Sequence, residues 1–148
     1  MSDELDVRVR CHVYGVALQR GYPPAIAEVA AALHLAPEDV RAAFERLAAG
    51  RALVLQPDSG EILMAEPFSA VPTPFVVEVA GFSCYGNCIW DALGIAAMLK
   101  QEARITTACS DCGLALQLTV AGGKVTGDSG IAHFAVPARD WWNDIVFT

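Results

Sequence analysis

Residues 37–65 read PEDVRAAFERLAAGRALVLQPDSGEILMA, and their order decides the fold. Pro37 stands where a first helical turn tolerates a missing N–H, and Glu38 and Asp39 follow at the positive end of the helix. Val40, Ala43, Phe44 and Leu47 then recur at i, i+3, i+4 and i+7, an apolar stripe of helical period that stops at Gly50. Beyond Gly50 come two short apolar runs, 52–55 and 62–65, parted by Pro57-Asp58-Ser59-Gly60, which predicts a strand, a turn and a return strand.

Upstream, residues 4–20 carry apolar side chains at mixed helical spacing and meet the stop Gly21-Tyr22-Pro23-Pro24. Ile26, Val29, Ala30 and Leu33 mark one face of a second helix over 25–33. Three helices followed by a two-stranded hairpin is the winged-helix order. Residues 67–74, with Pro67, Pro72 and Pro74, read as a connector between a winged-helix-like domain at 1–66 and a second domain at 75–148.

The second half is mixed. Strands are expected at 75–79, 104–108, 114–120, around Val125 and at 131–136, with a Gly122-Gly123 turn and a helix from an Asn87 cap to about Lys100. A helical turn is expected at 138–144. The fold class is therefore α+β, a three-helix winged-helix-like module followed by a mixed α/β domain with a mainly antiparallel sheet. The apolar run 145–148 reads as a strand end or as a fold that continues.

Composition narrows the function. Hydrophobic residues make up 54% of the 148 and charged ones 18%, enough for a core and too apolar for disorder. No apolar run reaches the ~20 residues of a membrane span, and the start, MSDELDVRVR, lacks a secretory pattern, so the expected location is the cytoplasm. Ten Lys and Arg face seventeen Asp and Glu, a net charge of -7 that argues against nucleic acid as a partner. The helix at 37–49 sets Arg41 and Arg46 against Glu38, Asp39 and Glu45, a poor recognition helix.

Five cysteines, Cys11, Cys84, Cys88, Cys109 and Cys112, are the most informative residues. In a cytosolic chain, cysteines serve as metal ligands or catalytic groups more often than as disulfides. Two readings stand. Cys84-x3-Cys88 and Cys109-x2-Cys112 are two close pairs, the pattern of a four-thiolate zinc site. Alternatively Cys88 is a reactive thiol at a helix start, where the dipole favours the thiolate, and Asp91 shares its helical face as a proton donor. Two acids this close push their pKa values apart, so one holds a proton while the other ionises. A buried cysteine beside a capping aspartate would show the same spacing. Cys11 reads as a core cysteine, His12 as a surface histidine and His34 as a helix-end residue. His133 reads as structural, and Trp141 and Trp142 as core or interface.

The stretch Tyr85-Gly86-Asn87-Cys88-Ile89-Trp90-Asp91-Ala92-Leu93-Gly94 resembles the active-site helix of alkylmercury (organomercurial) lyases, and the resemblance continues through 103–109 and 113–120. It implies protonolysis of a carbon–mercury bond, with Cys88 on the mercury, Asp91 giving the proton, and hydrocarbon and Hg(II) released. It implies no cofactor, an organomercurial substrate, and onward transfer of Hg(II) to cellular thiols or a mercury reductase. Cys109 matches a family cysteine of structural character. The family uses a second catalytic cysteine nearer the C-terminus. The last cysteine here is Cys112, so that thiol is expected at or just past residue 148, or Cys84 or Cys112 replaces it. The alternative function is a zinc- or mercury-binding regulatory protein using Cys84, Cys88, Cys109 and Cys112.

Overall fold

The computed structural model describes residues 2–147. Three helices open the chain: α1 (Ser2–Arg20), α2 (Ile26–Leu33) and α3 (Pro37–Ala49). Val9, Val13 and Ala17 lie four residues apart on one face of α1 and are fully buried. Val9 and Val13 enter a core with Val29, Val40 and Phe44, while Ala17 enters a second core with Val77, Ile95 and Ile105. One helix thus feeds both halves. Each fully buried Val, Ile or Phe is worth about 1.5–3 kcal/mol relative to exposure.

A hairpin of β1 (Val54–Leu55) and β2 (Ile62–Ala65) follows, as expected. Glu61 accepts a hydrogen bond from the Ile26 N–H at 2.9 Å and so caps α2 from the hairpin. A third strand, β3 (Phe68–Ser69), pairs antiparallel with β2 and lies in the stretch expected to be a connector. Phe68 is fully buried in the second core, so this stretch packs instead of merely linking.

Five strands form the second sheet: β4 (Val76–Val79), β5 (Phe82–Tyr85), β6 (Ala103–Ala108), β7 (Ala115–Ala121) and β8 (Lys124–Gly127). Their order is β5-β4-β6-β7-β8, and every pair is antiparallel. The fold is α+β, helices first and a mainly antiparallel sheet after. Helix α4 (Ile89–Leu99) covers the sheet with Ala92, Ile95 and Ala96. Gly21, at φ +89°, ends α1 where a Cβ would stand 2.6 Å from the Cys84 Cβ, so only glycine fits between that helix end and β5.

Some expectations fail. Residues 131–136 alternate like a strand but form none, and Ile131 is 94% exposed. Alternation records side-chain type and not whether a sheet edge is in reach. The helix cap is Cys88 and not Asn87, with the helix beginning one residue later. Cys11 is exposed and not in the core. A 3₁₀ helix spans Ala138–Asn143 as a helical turn was expected to. Of the terminal run, Ile145, Val146 and Phe147 form no strand, and Thr148 lies outside the described residues.

Candidate active site

Strand β5 delivers the chain to Gly86, Asn87 and Cys88, and α4 begins at once. The turn is tight because Gly86 has no side chain. A Cβ there would lie 2.7 Å from the Ala92 nitrogen and 2.9 Å from its Cα. Thr73 donates its hydroxyl to the Gly86 carbonyl at 2.6 Å, and the Gly86 N–H donates to the Phe75 carbonyl at 3.0 Å. Cys88 is the extended N-cap, at φ −149°, and its carbonyl accepts the Ala92 N–H at 2.9 Å. Asp91 follows in the first turn, and the Asn87 amide donates to its Oδ2 at 2.9 Å.

Cys88 and Asp91 line one cavity of about 170 Å³. Asn87 and Trp90 complete the α4 side. Met64 and Glu66 form the hairpin side, and Phe134, Trp141, Trp142, Ile145 and Val146 form the C-terminal side. The C-terminal wall is held from two directions. Trp141 donates its indole N–H to the Val136 carbonyl at 3.0 Å and stacks at a tilt on Phe134, with ring centroids 4.9 Å apart. The Arg51 guanidinium sits 5.5 Å from the Trp142 ring centroid. On the hairpin side, Tyr14 of α1 donates to the Glu66 carbonyl at 3.1 Å.

Burial dominates the electrostatics. It holds the Asp91 carboxyl above the ordinary carboxylate range, with the Asn87 amide pulling the other way. It also raises the Cys88 thiol. The Asp91 and Trp90 N–H groups face that sulfur and favour the thiolate, but they close no cap hydrogen bond and do not offset the burial. The helix start was expected to leave a thiolate; the half-buried setting keeps the thiol protonated to higher pH instead. Glu66, whose carboxyl lies against the cavity on the hairpin side, is also raised, by partial burial of that carboxyl first and the charge of Asp91 second. Among the described residues no Lys, Arg or His lines the cavity. A thiol beside a carboxyl whose proton is held more tightly than in water can accept a soft electrophile on sulfur and supply a proton next to it.

The other cysteines lie elsewhere. Cys84 is buried in the sheet core, and burial pushes its thiol up to about 11. Cys109 and Cys112 sit on the β6–β7 hairpin, and neither lines the cavity. The four-thiolate site does not form: among the described residues no three His, Cys, Asp or Glu gather as a metal site. Register explains it. Cys84 is level with Val77 on β4, which is level with Ile105 on β6, and Cys109 lies four residues further along. At sheet spacings that is about 10 Å across and about 13 Å along. His133 is exposed and does not reach the cavity.

Sequence reasoning missed Glu66, Trp141 and Trp142 as site residues. The adjacent tryptophans were the available signal, since such a pair on a short polar segment needs an apolar surface to cover. Glu66 had none, because only the third dimension places it opposite α4.

The model of the alkylmercury lyase (MerB) family matches residues 68–148, more than half of the chain and all of its half of the cavity from α4 to the C-terminal wall. The chain belongs to the alkylmercury lyase family. Among solved structures it is similar to the mercury-bound form of MerB2, at a TM-score of 0.62 and 18% identity over 84% of this chain. This chain covers 63% of that one. The search of curated proteins found no match.

Proposed function

We propose that this pocket cleaves the carbon–mercury bond of an organomercurial by protonolysis. The observation that carries the reading is that Cys88 and Asp91, one helical turn apart, line one cavity, where burial shifts the carboxyl toward its protonated form. Mercury is soft and exchanges onto sulfur. Cys88 gives up its thiol proton to the ligand that mercury sheds or to solvent, and a Cys88 S–Hg bond forms. Electron density then rises on the mercury–carbon bond. Asp91, protonated, transfers its proton to the carbon as that bond breaks, so the electron pair of the bond ends in the new C–H bond. Hydrocarbon leaves, Hg(II) stays on Cys88, and the Asp91 carboxylate regains a proton from solvent. Nothing is oxidised or reduced, and the reaction needs no cofactor.

The aromatic wall at Phe134, Trp141 and Trp142 suits the organic group and keeps bulk water from the reacting atoms. Cys88 is the one thiol lining the cavity among the described residues, so Hg(II) leaves it by exchange to cellular thiols or a mercury reductase. On this reading residues 1–66 are a packing module that also lends Met64 and Glu66 to the cavity wall, 67–74 join the halves through β3, and 75–148 carry the chemistry. A cytoplasmic setting suits it, since thiols there stay reduced; among the described residues no helix is long and apolar enough to cross a membrane. The test is benzene release from a phenylmercury salt. Cys88→Ser should lose it by at least ~10²-fold, the low end of what a positioned catalytic group contributes. Wild-type turnover in that variant would falsify the reading.

A further inference from the structure

The β6–β7 hairpin carries Cys109-Ser110-Asp111-Cys112 away from the pocket just described. The two strands stay in register up to the pair Ala108 and Ala115. The Cys109 N–H then donates to the Leu114 carbonyl at 2.8 Å, and the Gly113 N–H donates to the Cys109 carbonyl at 2.8 Å. Gly113 takes φ +73°, which lets the chain turn back so sharply. Two cysteines three positions apart are thereby fixed on one tight turn.

Both are open to reagents, Cys109 half-buried and Cys112 exposed, and both are free thiols. The backbone N–H groups of Cys112 and Asp111 and the Cys112 thiol all face the Cys109 sulfur and hold its thiol below the usual range. N–H groups gathered on a turn sulfur stabilise a thiolate, the form that binds metal. The ligand count selects the metal. Zn(II) takes four ligands in a structural site. Among the described residues no third His, Cys, Asp or Glu joins this pair. Two thiolates alone satisfy a soft d¹⁰ cation, which accepts linear coordination by sulfur.

We propose that Cys109 and Cys112 form a surface dithiol site that chelates a soft two-coordinate cation such as Hg(II). Two S–H bonds lose protons to solvent, and two S–Hg bonds form as the cation sheds two weaker ligands or monothiolates; no electrons are exchanged. The second thiol acts at an effective concentration in the millimolar range because a short turn tethers it to the first. The site does not depend on the lyase reading.

The test uses the full chain with Cys11→Ser and Cys88→Ser, which removes the remaining exposed thiol and the pocket thiol. The protein is loaded with Hg(II), passed through buffer with about a tenfold excess of a monothiol, and assayed for bound mercury, conditions under which a tethered pair outcompetes single thiols. About one Hg(II) per chain should remain, and adding Cys112→Ser or Cys112→Ala should remove it. Cys112 is exposed, so both variants keep the parent far-UV spectrum. Mercury lost from the parent, or kept by the Cys112 variants at the parent's level, overturns the site. Equal retention of Zn(II) overturns the two-coordinate assignment.

Discussion

Asp91 occupies a position that the fold would be more stable without charging. Burial raises its carboxyl, with the Asn87 amide only partly compensating. In the unfolded chain an aspartate ionises near ~3.9. The folded state therefore holds the proton more tightly. That stabilisation is complete below the unfolded value and is lost as pH rises through the raised folded value. Asp91→Asn keeps an acceptor for the Asn87 amide and carries no charge. It should unfold at higher urea concentration than the wild type at pH 7–8, with the difference shrinking toward pH 4. A variant less stable than wild type at neutral pH would show that the carboxylate is a structural asset and not an acid held for chemistry. Cys88 follows the same logic on the thiol side, where burial outweighs the facing N–H groups. The sequence showed which two residues to examine but gave the wrong direction for the thiol. A helix start is visible in sequence; the depth at which it lies is not.

Among the elements, the turn from β5 into α4 matters most. Gly86 is there because α4 starts directly over it. Gly86→Ala places a methyl group 2.7 Å from the Ala92 nitrogen, against backbone that cannot swing aside. The variant should lose about 1–3 kcal/mol of stability in urea unfolding, the range for overpacked interiors, and lose hydrocarbon release as Cys88 and Asp91 shift together. Unchanged stability and activity would mean that α4 is not seated on this residue. The helices and the first hairpin were legible because proline, glycine and a 3.6-residue period punctuate them. Strand β5 was not. It has four residues and follows a two-residue loop, Ala80-Gly81, in which both φ angles are positive. Mirror-image hairpin loops need that conformation, and Ala-Gly is a weak signature of it. Strand β3, at two residues, is too short to carry a pattern at all.

The whole molecule is a helical half and a sheet half joined through shared residues, with Ala17 of α1 and Phe68 of β3 both in the sheet-side core. The helical half resembles a DNA reader in element order, but both arginines of α3 are engaged by the protein's own groups. Arg46 makes a bidentate pair with Asp6, at 2.8 and 2.6 Å, and Arg41 donates to the Ser59 carbonyl at 2.7 Å. With a net charge of -7, the chain should give no salt-sensitive mobility shift with duplex DNA; a shift that weakens as salt rises would contradict this. The same long-range assembly makes the pocket, since hairpin, α4 and C-terminal segment meet only when both halves are folded. That is why Glu66 and the tryptophans could not be assigned from local sequence.

The pairing of a mercury-binding sulfur with a separate proton donor can be read in one mass spectrum. Asp91→Asn mixed with a phenylmercury salt, in a background lacking Cys11, Cys109 and Cys112, should stop with the phenylmercury group intact on Cys88, while the parent carries mercury without the ring and releases benzene. A variant that loses the ring as fast as its parent would show that the proton comes from elsewhere.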